Sequence, residues 1–176
     1  SRLMVEVLTK YLKDVFDHDP RKPARVAAYR GGYLPQERRA TERKLVVQIT
    51  TAMEDERMMH PLLQVKAVDA NPLVDLLPTV PGARIVLLNA LRTVPSPVLP
   101  KIVGAGEVYA EIASLEGVGG IANILQRMPV ERLLFGSHAP LFYIESALLK
   151  LDESPLTEEQ LRAICNENAA RLLKWD

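Results

Sequence analysis

Four short apolar runs recur along this chain, at residues 45–51, 85–89, 108–113 and 133–137. Continuous apolar runs of that length suit strands buried on both faces, and their alternation with helical segments predicts a mainly parallel sheet built from crossovers. The helical segments are 72–80, 96–105 and 118–127, the first two with proline near the first turn, where its missing N–H costs nothing. Residues 53–69 read as a long loop or broken helix. After the fourth run, 139–150 reads as a helix with Ile144, Leu148 and Leu151 on one face. A last helix spans 158–173, with Thr157 as N-cap and Gln160, three residues on, completing a capping box.

The front of the chain does not continue this pattern. Residues 3–16 place Met4, Leu8, Tyr11, Leu12 and Val15 at helical spacing, which predicts an amphipathic packing helix. Residues 17–40 carry Pro20, Pro23, Pro35 and the pair Gly31 and Gly32, which disfavour a long regular element and predict a loop with weak helix near its end. The division expected is therefore 1–40, an N-terminal helix and basic loop, and 41–176, the α/β unit.

Charge is balanced, with 22 basic and 22 acidic residues, so no long-range field favours nucleic acid or an anionic membrane. The balance hides five Arg and one Lys against one Glu in residues 21–40. Its interleaving of basic and aromatic residues is sparse, so that stretch reads as a solvated loop rather than a stacking platform. A single cysteine, Cys165, excludes an internal disulfide and a cysteine-rich zinc site, which agrees with a cytoplasmic protein, and it reads as small core packing on the last helix. No apolar run approaches the ~18 residues of a membrane span.

Lys44-Leu45-Val46-Val47-Gln48-Ile49-Thr50-Thr51, Ala83-Arg84-Ile85-Val86-Leu87-Leu88-Asn89, Glu107-Val108-Tyr109-Ala110-Glu111-Ile112 and Arg132-Leu133-Leu134-Phe135-Gly136-Ser137-His138-Ala139-Pro140, with Asn168-Ala169-Ala170-Arg171-Leu172-Leu173 beyond them, carry a resemblance to the amidohydrolase superfamily. Within it the chain is most similar to the amidohydrolase-related group, whose enzymes hydrolyse or decarboxylate small carboxylated compounds. The resemblance covers residues 41–176 and implies the last four strand-helix units of a TIM barrel. A complete barrel takes about 250 residues, so a chain of 176 reads as a partial, half-barrel α/β sheet of about four parallel strands with flanking helices, or as a fragment of a longer enzyme. Ser1 is not an ordinary translation start, which fits a chain cut at its front.

The resemblance also implies where chemistry should lie. The positions of Thr50 and Asn89 usually carry histidine metal ligands in that family, and the position of His138 carries an aspartate that binds metal and moves a proton. Threonine and asparagine are poor zinc donors, so the usual metal centre is expected to be absent and no cofactor is assigned. A rearranged divalent-metal site would have to use His60, His138 and nearby carboxylates, whose spacing follows no metal pattern.

Side chains alternate across a strand, so Thr50, Asn89 and His138 are expected to share their face with Gln48, Leu87 and Gly136. His138 and Glu111 are the candidates for proton transfer, a carboxylate beside an imidazole fixing its tautomer and favouring its charged form; a buried ion pair without catalytic role is the alternative. Glu111 or Glu116 is expected to pair with Arg92 or His138. The loop 51–61 concentrates Glu54, Asp55, Glu56, Arg57 and His60. It is either a solvated charged loop or a binding loop in which Arg57 forks onto a substrate carboxylate, ordered by Glu54 and His60. Asn89, Arg92, Thr50, Gln48 and Glu116 complete the candidate binding set.

Three functions follow: a hydrolase of a small carboxylated substrate, a decarboxylase of the same kind, and an inactive binding module that kept the scaffold. Half a barrel leaves two sheet edges and an inward apolar face open, so a homo-oligomer is expected if the chain is complete.

Overall fold

A computed structural model describes residues 10–14, 46–52, 60, 62 and 66–173. The chain divides into two units, Ser1–Leu45 and Val46–Asp176. In the first, residues 10–14 are helical, with Tyr11 and Leu12 exposed; the rest of the expected helix and the basic loop lie outside the described residues.

The second unit is a four-stranded parallel sheet in the order β1 (Val46–Thr50), β2 (Arg84–Leu88), β3 (Glu107–Glu111) and β4 (Leu133–Leu134). Between strands lie α1 (Leu73–Leu76) with a 3-10 turn at Leu77–Thr79, α2 (Ala90–Thr93), α3 (Leu99–Ala105), α4 (Gly120–Ile124) and a 3-10 turn at Val130–Arg132. After β4 come α5 (Ile144–Asp152), α6 (Glu158–Arg162), a π turn at Ala163–Glu167 and α7 (Asn168–Leu173). The capping box forms as the sequence predicts: the Gln160 N–H donates to Thr157 Oγ1 at 3.2 Å and the Thr157 N–H to Gln160 Oε1 at 3.0 Å.

The sheet buries both faces unequally. Ile85, Leu87, Val108, Ala110 and Leu133 face the larger core, packed against Leu77, Leu99, Ile102, Ile121 and Ile164. Each of the Ile, Leu and Val side chains contributes about 1.5–3 kcal/mol by leaving water. Val86, Tyr109 and Leu134 face the other side and are covered by Leu172 of α7 with Ala169 beside it. The inward face expected to lie open is thus partly closed by the chain's own last helix, and buried Arg84 fastens that helix by donating from Nη1 to the Leu172 carbonyl.

Three expectations need correction. The fourth strand is two residues long, not five: beyond Leu134 the Phe135 N–H leaves the ladder and donates to the Ile164 carbonyl at 2.9 Å. That carbonyl is released because the Asn168 N–H reaches back to Ala163 instead, which makes the π turn. The outer edge of β4 is therefore not open. Cys165 is exposed rather than packed, since Ala163, Ile164 and Asn168 take the inner side of this turn. The helix after His138 starts at Ile144, and its inner side is Ala147, Lys150 and Leu151, leaving Ile144 and Leu148 about half exposed.

Asn168, fully buried, completes the fastening of β4 by donating from Nδ2 to the Val130 and Leu133 carbonyls at 2.7 and 2.8 Å. Asn168→Ala strands the Leu133 carbonyl, removes an Oδ1 that has no partner among the described residues, and on balance should cost about 2 kcal/mol in urea denaturation.

Tyr109 supplies a pH dependence. Its hydroxyl donates to Glu107 Oε1 at 3.4 Å and the Arg132 guanidinium lies 5.1 Å from its ring centroid. Burial first and Glu107 second push the phenol above its usual value, against the opposing pull of Arg132 and Arg171. The native state therefore holds this proton more tightly than the unfolded chain. Its contribution is complete below about pH 10 and is lost as pH rises through the folded value. Urea melts at pH 9 and 11 should show a loss of stability that Tyr109→Phe removes.

Candidate active site

The carboxyl ends of parallel strands are where barrel and open α/β folds place their sites, and here that rim is organised by one buried carboxylate. Glu111 ends β3, 5% exposed. Its Oε1 accepts the Asn89 N–H at 2.6 Å, and its Oε2 accepts the Ala113 N–H. The same carboxylate lies against Gly136, where a methyl would stand 2.9 Å from the Glu111 Cβ, 3.1 Å from Cδ and closer still to Oε2. Three strand-end loops thus meet on a single side chain.

Asn89 extends the arrangement to the fourth. It takes a left-handed conformation, φ 57°, which asparagine tolerates better than most residues, and so turns the chain sharply from β2 into α2. Its Nδ2 donates to the Ala52 carbonyl beyond β1 at 2.9 Å, while its Oδ1 is buried with no hydrogen-bond partner among the described residues. Thr51, fully buried beside it, donates its hydroxyl to the Leu88 carbonyl at 3.0 Å and lies 2.7 Å from the Thr93 hydroxyl.

Register corrects one expected alignment. Thr50 pairs with Leu88, so Gln48 and Thr50 share a face with Val86 and Leu88, and Leu87 belongs to the opposite, helix-covered core. Asn89 lies past the strand, where alternation no longer applies. Gln48 and Thr50 are exposed on β1.

Arg92 and Glu116 form the anticipated ion pair, Nε to Oε1 at 3.4 Å, on the surface, where such pairs contribute about 0–1 kcal/mol. His138 has a positive φ of 54° and sets its ring 5.0 Å from that of Phe142; its carbonyl accepts the Leu141 and Phe142 N–H groups at 3.0 and 3.1 Å. Ser137 Oγ accepts the Ala139 N–H at 3.3 Å. His60 is exposed, its Nδ1 accepting the Leu62 N–H at 3.2 Å. Glu54 and Arg57 lie outside the described residues.

Three participants escape a reading of the sequence: Thr51, Gly136 and above all Lys150. Lys150 Nζ donates to the Ala113 carbonyl at 2.7 Å. Burial pushes its amine below the usual range, against the favourable charges of Glu111, Glu153 and Glu116. Its only sequence signal is its place three residues after Ala147 on the inner side of α5.

A metal of the kind the resemblance implies would need several imidazole or carboxylate donors together. Among the described residues no three His, Cys, Asp or Glu side chains gather into such a set, and both oxygens of Glu111 already accept backbone N–H groups. These residues do not fit that group. Among the described residues no helix is long and apolar enough to cross a membrane.

Neither a protein-family model nor a curated protein matches this sequence. Two solved structures of 2,6-dihydroxybenzoate decarboxylase are similar to it, one complexed with 2,6-dihydroxybenzoate and one of the enzyme from Rhizobium. Each has a TM-score of 0.52 and 15% sequence identity, covering 80% of this chain and 56% of the decarboxylase chain. The fold of this chain is therefore a partial TIM barrel, four parallel strands with flanking helices, shared with just over half of that enzyme.

Proposed function

We propose that this chain is part of an amidohydrolase-superfamily enzyme acting on a small carboxylated substrate, and that its reaction is decarboxylation rather than hydrolysis. One observation carries the reading: buried Glu111 gathers the strand-end loops of a fold shared with a decarboxylase. In this reading Asn89, Arg92, Thr50, Gln48 and Glu116 line the rim, and Arg57, Glu54 and His60, which follow β1 in the sequence, join them. The bond between the substrate carbon and its carboxylate breaks, carbon dioxide leaves, and the electron pair left on carbon takes a proton from His138.

The test is a panel of hydroxybenzoates against amides and lactones, followed by product chromatography and carbon dioxide release. Turnover of a hydroxybenzoate is expected, with His138→Asn lowering kcat by about 100-fold or more. Turnover of an amide or lactone alone would replace decarboxylation by hydrolysis.

The donor set and the engaged oxygens of Glu111 favour a second reading, a binding module that keeps the scaffold without catalysis. Saturable ligand binding with no turnover across the panel would establish it. Self-association belongs to either reading, because β1 has a strand neighbour on one side only among the described residues. A monomer mass in light scattering would remove it.

A further inference from the structure

We propose that Lys150 is a positioning residue of the strand-end site, holding the loop after β3 so that Glu111 in turn holds the loop after β2. This deepens the functional reading above and rests on it for the site that is positioned. The connection is continuous. Lys150 Nζ donates to the Ala113 carbonyl at 2.7 Å, and the Ala113 N–H donates to Glu111 Oε2. Glu111 Oε1 accepts the Asn89 N–H at 2.6 Å, and Asn89 Nδ2 reaches the Ala52 carbonyl at 2.9 Å. One helix thereby sets three loops in series.

The segment bearing Ser137 and His138 runs directly into α5. Lys150 therefore also fastens the His138 segment to the neighbouring loop, which a hydrogen bond within either loop would not do. An ammonium suits the place, because one of its three donors goes to Ala113 while its charge sits near the buried Glu111 carboxylate. Glu153 and Glu116 are the other acids acting on it, and burial outweighs all three in setting its basicity. A lysine kept on an inner helix face at that desolvation cost, among Ala147 and Leu151, is poorly explained as solvent-facing charge.

The test compares Lys150→Met and Lys150→Arg with the wild type by amide hydrogen exchange and by titration with benzoate. Lys150→Met should speed exchange at the Asn89 and Ala113 amides at least about tenfold while Leu87 and Tyr109 keep their protection. Lys150→Arg should restore most of that protection, and benzoate affinity should follow the same order. Uniform acceleration across the sheet, or no change at Asn89 and Ala113, overturns the proposal. A wild type that does not bind benzoate removes the carboxylate site of the functional reading, while the exchange pattern alone still decides the role of Lys150.

Discussion

Glu111→Gln should cost about 3 kcal/mol of folding stability, although it changes one atom and no volume. Both carboxylate oxygens accept backbone N–H groups, from Asn89 and from Ala113, in a buried setting. A glutamine offers one oxygen and one NH2, so whichever way the amide turns, one N–H faces another donor. Hydrogen bonds to charged groups contribute about 1.5–3 kcal/mol and an orphaned buried donor costs about 1–3 kcal/mol more. Urea denaturation gives the number directly. Glu116→Gln is the internal control: its bond to Arg92 is exposed, and its loss should stay within about 0.5 kcal/mol. Equal stability of Glu111→Gln and wild type would mean that these two hydrogen bonds are not made in solution.

Gly136→Ala should be the second large effect, at about 2–3 kcal/mol, and for a steric reason. Gly136 is not among the glycines with positive φ, unlike Gly117 and Gly119, so an alanine could adopt its backbone conformation. The added methyl instead meets the Glu111 side chain, 2.9 Å from its Cβ and 3.1 Å from its Cδ. Overpacking of this kind costs about 1–3 kcal/mol, and displacement of the carboxylate would loosen the Asn89 and Ala113 bonds as well. A double-mutant cycle separates the two parts. In a Glu111→Ala background the Oε2 and Cδ contacts vanish, so the cost of Gly136→Ala should fall by about 1 kcal/mol or more. Strict additivity would show that the cost of Gly136→Ala does not come from the Glu111 carboxyl group, leaving the Cβ that alanine keeps as the point of contact.

These two residues also mark how far the sequence can be read. The positions of β1, β2 and β3 follow from their apolar runs within a residue or two, and the Thr157–Gln160 box from local chemistry alone. Both depend on neighbours in sequence. The short β4 does not: Leu133 to Ser137 is as apolar at its start as the other strands, and only the Ile164 carbonyl, 29 residues away, decides that Phe135 leaves the ladder. Face assignment failed for a related reason. In the sequence Thr50 and Asn89 end equivalent apolar runs, but the sheet pairs Thr50 with Leu88, and Asn89 has already turned left-handed.

At the site, Glu111 was legible as a carboxylate at a strand end, and Glu116 with Arg92 as one of several pairings that the charges on adjacent loops left open. Lys150 was hidden by the apolar residues around it. Ile144, Leu148 and Leu151 define a plausible face, whereas burial falls on Ala147, small enough for close approach. A stripe of large residues and the stripe that packs need not coincide when a small residue permits the closer contact.

The π turn at Ala163–Glu167 makes the last helix sensitive to insertion and deletion as well as to residue type. A π turn is an α-helix accommodating one surplus residue. Removing one, exposed Cys165 for example, would restore the ordinary helical ladder. The Ile164 carbonyl would regain a helical partner, and the Phe135 N–H would lose its acceptor. A single-residue gap in this stretch would therefore unfasten β4 even with Asn168 kept, so the number of residues in a helix is here part of what completes the edge of a sheet.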